Sequence, residues 1–230
     1  MSEKQKWVVV VIYAIAMAWV ESAVVVYLRT MIDRIVPYQP DPLPIFAGLG
    51  EIELGREAAT LVMLLTIGWL AGRTWYSRIA YAAIAFGIWD IFYYVFLVPM
   101  SGWPQTIFDW DILFLLPLPW WGPVIAPVLI SALMILGGTL ITQYELRTHR
   151  WLWRMAALGC FIALYTFMAD TLCVAGNGVN AIRTTLPVSF NWLAFTIALA
   201  MIAAPVIDLG RQFVTQRAPM SKQNARSSNM

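Results

Sequence analysis

Charged residues are scarce in this chain, and its long apolar stretches contain no lysine and one arginine, Arg154, near the end of its stretch. Only 12% of the 230 residues are charged and 60% are hydrophobic, whereas soluble domains carry roughly a quarter charged residues. This composition is typical of an integral membrane protein, so the sequence predicts the lipid bilayer as a partner of the chain. The net charge of +2 is small, and no basic stripe alternates with aromatic residues, so the sequence predicts no nucleic-acid partner.

The chain has one histidine and two cysteines, and it has no nucleotide-binding motif. His149 is the only histidine and is predicted to lie on the cytoplasmic side. A bis-histidine haem, a histidine-rich zinc or copper site and a Ser-His-Asp triad in the outer half of the bilayer therefore each lack a residue they need. No lysine lies in an apolar stretch to carry retinal as a Schiff base, and no GxxxxGK[ST] or GxGxxG motif binds a nucleotide. Cys160 and Cys173 match neither a redox pair nor a metal knuckle, so we interpret them as packing residues. The sequence predicts no metal site and leaves any cofactor unknown.

Six stretches are long and apolar enough to cross a bilayer, which takes about 20 helical residues. They lie at about 7–28, 58–72, 79–99, 120–142, 151–175 and 186–209. The sequence therefore predicts an all-α bundle of six transmembrane helices in one domain, residues 1–214, followed by a disordered cytoplasmic tail, residues 215–230. The second stretch is short, so we expect it to recruit flanking residues or to cross a locally thinned bilayer.

Residues 101–123 form an irregular connection between the third and fourth stretches. Its apolar core, residues 112–116, is too short to cross a bilayer and is flanked by Pro104, Pro117 and Pro119. We predict an interfacial or re-entrant segment near 105–119. Asp109 and Asp111 in this segment suit a divalent cation by their oxygen ligands, although two water-facing carboxylates are the simpler interpretation.

The distribution of lysine and arginine predicts the orientation. Eleven of the fifteen basic residues fall on the side of the two termini, and four fall on the other side. Because cytoplasmic connections accumulate lysine and arginine, both termini are predicted to be cytoplasmic, in a multi-pass protein of the cell membrane. A cleaved signal peptide is the alternative interpretation of the first stretch, and it leaves the other five orientations unchanged.

Three apolar stretches each contain one carboxylate in the half of the bilayer away from the termini. At 1.5 Å per residue, Asp90 lies ~13 Å from the outer end of its helix, Glu21 ~10 Å and Asp170 ~8 Å. A charged residue at the centre of a membrane helix costs about 2.5 to 3.5 kcal/mol, so it normally faces the bundle interior and has a partner. The only basic residue in these stretches is Arg154, at the opposite end of its stretch. The partner must therefore be a polar neighbour, a bound cation, a proton on the carboxylate or an arginine at the outer rim, which is Arg29, Arg56 or Arg183.

These acids suggest an outward-facing pocket that binds a ligand. The predicted binding residues are Glu21, Asp90, Tyr93, Tyr94 and Asp170, because the two phenols share a helix face with Asp90 and can donate to it. The predicted supporting residues at the outer rim are Arg29, Glu57 and Arg183, with the 29–57 connection as a lid. The alternative is that each carboxylate clamps a neighbouring helix or loop and binds no ligand.

Three functions fit this pattern. The first is binding or translocation of a small cation, proton or polar solute in the pocket. The second is a non-catalytic subunit of a larger membrane complex, which predicts that apolar residues 112–123 contact another chain. The third is a membrane-embedded enzyme that acts on a lipid or isoprenoid, through carboxylate chemistry or an all-oxygen metal site. The sequence therefore leaves the question of catalysis open.

Overall fold

The computed structural model describes residues 1–39 and 49–227, without the side chains of Leu49, Arg183 and residues 217–227. Within that part of the chain there are seven α-helices and one two-stranded hairpin. They are α1 (Glu3–Met31), α2 (Leu49–Ala71), α3 (Trp75–Ser101), β1 (Trp110–Phe114), β2 (Trp120–Pro123), α4 (Ile125–Tyr144), α5 (Arg150–Val174), α6 (Val179–Thr184) and α7 (Trp192–Ser227). The six helices other than α6 are each long and apolar enough to cross a membrane, which confirms the predicted six-helix bundle.

Two helices extend beyond the stretches predicted from hydropathy. The second helix begins at Leu49 instead of residue 58, so it recruits the flanking charged residues and takes them out of the predicted lid. The backbone of α7 is helical to Ser227, through most of the residues for which the sequence predicts a disordered tail. The domain bounds and that tail stay predictions.

The segment predicted to be interfacial or re-entrant is the hairpin of β1 and β2. The strands are antiparallel, with Asp111 opposite Gly122 and Ile112 opposite Trp121. Phe114 packs inside the bundle against the rings of Trp89 and Trp120, with ring centroids 6.1 Å and 5.2 Å away. The segment thus enters the bundle, where its ladder hydrogen bonds satisfy backbone groups that lipid could not.

Helix α3 lies at the centre of one half of the bundle, where it packs against α1, α2 and α4, and α5 and α7 pack on each other in the other half. Helix α4 joins the halves through its contact with α7. The hairpin and the connection after α1 lie at one end, which we call the hairpin end. The opposite end, called the terminal end, contains residue Glu3, whose carboxylate accepts a hydrogen bond of 2.8 Å from Tyr81.

Two glycines allow α3 and α4 to approach each other closely. A Cβ atom at Gly87 of α3 would lie 2.6 Å from the backbone oxygen of Ser131, and one at Gly138 of α4 would lie 2.6 Å from that of Ala80. Small residues at such positions bring membrane helices into backbone contact. The Gly87 contact also sets the distance between α3 and the Ser131 side chain.

Replacing Gly87 or Gly138 by alanine is expected to lower the free energy of unfolding by about 1 to 3 kcal/mol, because the added methyl group overpacks a backbone contact. Unfolding in mixed detergent micelles, followed by tryptophan fluorescence, measures the change. Gly55→Ala is the control, since no atom lies within 4 Å of its Cβ position and alanine is the better helix former. Equal effects at Gly55 and Gly87 would contradict the close-contact explanation.

Candidate functional site

A cavity of about 160 Å³ lies at the hairpin end, between α1, α2, α3 and the hairpin. We call it the hairpin-end cavity. Its ionisable and phenolic lining residues are Glu21, Arg29, Arg34, Glu53, Arg56, Glu57, Asp90 and Tyr93. Five of the residues predicted from the sequence thus line one cavity, and Arg34, Glu53 and Arg56 line it with them. The cavity carries charges of both signs within its lining, whereas the sequence predicted binding by carboxylates and tyrosines with arginines at the outer rim.

Glu21 is paired with an arginine from the neighbouring helix. The Arg56 guanidinium donates to its carboxylate, and the Thr60 hydroxyl donates to the second carboxylate oxygen at 3.2 Å. Arg56 also binds Glu53 one helical turn away. Glu21 thus holds a neighbouring helix, as the alternative interpretation of the sequence predicts. The contact depends on the start of α2 at Leu49, because residues 53 and 56 then belong to a helix that faces α1.

Asp111 forms a second buried ion pair, with Arg29. The Arg29 guanidinium donates to the Asp111 carboxylate at 2.7 Å and lies 4.4 Å from the centre of the Trp103 ring. Asp111 is completely buried, so its predicted water-facing position is wrong. The sequence did not single it out as part of the site, because an aspartate in an irregular segment has no helical periodicity that indicates its direction.

Glu57 fastens the hairpin to α2. Its carboxylate accepts hydrogen bonds from the backbone N–H of Leu115 at 2.9 and 3.0 Å and from that of Leu116 at 3.2 Å. These two N–H groups follow β1, where the strand ladder no longer supplies acceptors. Glu57 therefore both lines the cavity and positions the hairpin, a role that could not be inferred before the hairpin itself was known.

Asp90 differs from the other acids that line the cavity, because among the described residues it has neither a basic side chain nor a backbone N–H group as its partner. It is 7% exposed, and the Ser131 hydroxyl of α4 donates to its carboxylate at 2.8 Å. The donors predicted from the sequence were Tyr93 and Tyr94. Tyr93 instead accepts a hydrogen bond from Arg29, and the donor to Asp90 comes from a different helix.

Two predicted site residues, Tyr94 and Asp170, do not line the hairpin-end cavity. Tyr94 is buried nearby, where its ring packs 6.2 Å from that of Trp103. Asp170 is half-buried on α5, away from this cavity. The side chain of Arg183 lies outside the described residues, as do residues 40–48 of the predicted lid. The described part of that connection does reach the cavity, since Arg34 and Pro37 line it.

Asp109 holds the loop that precedes the hairpin. Its carboxylate accepts hydrogen bonds from the Thr106 hydroxyl at 2.6 Å and from the backbone N–H of Gln105 at 2.7 Å. Partial burial raises the pKa of Asp109, but these hydrogen bonds outweigh it and hold the pKa below its ordinary value. Asp109 and Asp111 therefore have separate structural roles, and among the described residues no group of three acidic, histidine or cysteine side chains is placed to hold a metal ion.

No protein-family model, no curated protein and no solved structure matches this chain. What the cavity can bind must follow from its chemistry. Glu21, Glu53 and Asp111 already have guanidinium partners, and Glu57 has backbone donors. Among the described residues the carboxylate of Asp90 has only the Ser131 hydroxyl as its partner, so of the carboxylates that line the cavity it is the one most able to take up a proton or a cation.

Proposed function

We propose that this multi-pass membrane protein binds a small cation or polar solute in the hairpin-end cavity, either to hold it or to pass it across the membrane. The observation that supports this is Asp90, a carboxylate that is 7% exposed and has a hydroxyl group as its hydrogen-bond partner. Retaining an unpaired acid inside a membrane bundle is costly, and such residues are functional by default.

The charges around the cavity favour a ligand with no more than one or two positive charges. Four carboxylates and three guanidinium groups line it, a formal charge of −1, and the buried Asp111 that pairs with Arg29 adds one more negative charge beside it. Arg29 and Arg56 are neutralised by their own acids, so they do not cancel Asp90. A proton, a monovalent cation or a zwitterion therefore suits the cavity better than a dianion does.

The accessible side of the cavity follows from the predicted orientation. Eleven of fifteen lysines and arginines belong to the terminal end, which supports a cytoplasmic location for that end and an exterior location for the hairpin end. The solute would then arrive from outside. Cysteine accessibility at an exposed hairpin-end position, Val188→Cys in a Cys160→Ser, Cys173→Ser background, tests this orientation in intact cells.

Binding is tested by thermal shift of the purified full chain against Na⁺, K⁺, Ca²⁺, methylammonium, choline and free amino acids. A ligand at about 100 times its Kd stabilises the folded state by about 2.7 kcal/mol. Asp90→Asn and Glu21→Gln are each expected to weaken binding at least tenfold, which leaves about 1.4 kcal/mol at the same concentration. Both changes keep the size of the side chain.

Asp170→Asn is the matched control, because Asp170 is also an aspartate within a membrane helix but lies outside the cavity. It should bind like the unaltered protein. An equal loss of binding in Asp170→Asn, or unchanged binding in both cavity variants, contradicts the proposal. So does the absence of any stabilisation by the whole panel.

The two alternatives from the sequence have no stronger support. Residues 112–123, which the subunit hypothesis offers as a contact surface, pack largely within this chain, with Phe114 and Trp121 at most 8% exposed. An enzyme acting on a lipid needs a catalytic group, and Asp90 is the candidate acid or base. Both alternatives stay predictions.

A further inference from the structure

A second cavity adjoins the first and shares Asp90 with it. This apolar cavity of about 240 Å³ lies between α3, α4, α5, α7 and the hairpin. Asp90, Leu113 and Phe114 line both cavities. The other residues around the apolar cavity are almost all hydrophobic, and Asp90 and Ser131 supply its oxygen-bearing side chains. The Asp90 carboxylate thus lies between the charged hairpin-end cavity and the apolar cavity.

Aromatic rings surround this junction. The ring of Phe114 stacks on that of Phe86 with centroids 6.3 Å apart, and it lies 6.1 Å from Trp89 and 5.2 Å from Trp120. Aromatic faces attract organic cations, and a carboxylate among them is the arrangement that recognises alkylated ammonium groups. An inorganic cation would find a single carboxylate and few other oxygens here, which is a poor ligand set.

We propose that the site takes an amphipathic organic cation, with an ammonium group at Asp90 and an apolar chain in the apolar cavity. This inference rests on the proposed function and narrows its ligand class. The ammonium group compensates the charge of the Asp90 carboxylate. The apolar chain of the ligand covers the apolar wall of the cavity, which is favourable because apolar surface is removed from water. A neutral lipid chain would fill the same space, but it would leave Asp90 without a counter-charge.

Binding of trimethylammonium probes with hexyl, octyl or decyl chains tests the inference. The full chain is embedded in lipid nanodiscs, and binding to empty nanodiscs is subtracted to remove simple partitioning. Each added methylene group is expected to tighten binding up to about fourfold until the cavity is full, the factor that corresponds to roughly 0.8 kcal/mol per buried methylene. The neutral alcohols of the same chain lengths should bind at least tenfold more weakly.

Two substitutions examine the two ends of the ligand separately. Asp90→Asn should weaken binding of the cations at least tenfold and leave the alcohols unchanged, while Asp170→Asn should change neither. Cys160 lines the apolar cavity and is itself exposed, so a bulky residue there is expected to be tolerated. Cys160→Trp should reduce the dependence on chain length, and the matched control Cys160→Ser should keep it.

The possible results separate this inference from the proposed function. If alcohols bind as tightly as the cations, or if Asp90→Asn retains full affinity, no ammonium group is recognised and the inference falls. If Cys160→Trp keeps the chain-length dependence, the chain does not occupy the apolar cavity, and the inference also falls. Binding of choline or methylammonium that needs Asp90 and Glu21 would still support the proposed function in either case.

Discussion

Replacing Arg29 by methionine is expected to lower the free energy of unfolding by about 3 to 5 kcal/mol, the largest effect of any single change considered. Removing one partner of a buried ion pair leaves an uncompensated charge, and such losses have that magnitude. Asp111 is completely buried, and the Arg29 guanidinium also contacts Trp103 and Tyr93. The hairpin would lose its attachment to α1.

Unfolding in mixed detergent micelles measures this change, with Arg154→Met as the control because Arg154 is exposed on α5. The double variant Arg29→Met, Asp111→Leu should recover much of the loss, since it removes both charges from the interior. If the double variant is as unstable as Arg29→Met, packing of the arginine stem, not the uncompensated charge, accounts for the destabilisation.

Replacing Glu57 by alanine is expected to destabilise the chain by about 3 kcal/mol and to loosen the hairpin. Two backbone N–H groups, those of Leu115 and Leu116, would lose a charged acceptor, and hydrogen bonds to charged groups contribute about 1.5 to 3 kcal/mol each. Hydrogen exchange at these two amides should become faster. The exchange rates report the loss of these two hydrogen bonds directly, whereas the free energy of unfolding reports the total effect of the substitution.

Two control variants accompany this measurement. Glu51→Ala removes an exposed carboxylate from the same end of α2 and should have little effect. Glu57→Gln keeps one acceptor oxygen and should retain part of the protection at residues 115 and 116. Unchanged exchange at these amides in Glu57→Ala would show that Glu57 does not hold the hairpin.

These two attachments give the charged residues around the cavity a common structural role. Arg29 and Glu57 each connect a membrane helix to the hairpin, and the Glu21–Arg56 pair connects α1 to α2. The hairpin in turn supplies Leu113 and Phe114, which lie between the two cavities. Clamping contacts and a cavity thus occur in the same place, and Asp90 is the acid of that cavity without a guanidinium or backbone partner among the described residues.

The sequence identified five of the residues that line the cavity but not how their charges are paired. Glu21 and Asp90 could be identified because a carboxylate in an apolar helix is conspicuous whatever surrounds it. The simultaneous pairing of Arg56 with Glu21 and Glu53 could not be inferred, because it requires α2 to begin at Leu49 and not at residue 58. Asp170 resembles Asp90 in sequence, and only the arrangement of α5 separates it from the cavity.

The amino-acid sequence alone determined that the chain is a membrane bundle of six helices, because the apolar length needed to cross a bilayer is a local property of each stretch. The tertiary structure decided which buried charges meet. Arg29 and Asp111 are 82 positions apart and Asp90 and Ser131 are 41 apart, and contacts between such residues depend on how helices pack and where the hairpin inserts. Since the cost of a buried charge depends on its partner, only the folded bundle distinguishes the compensated acids from Asp90.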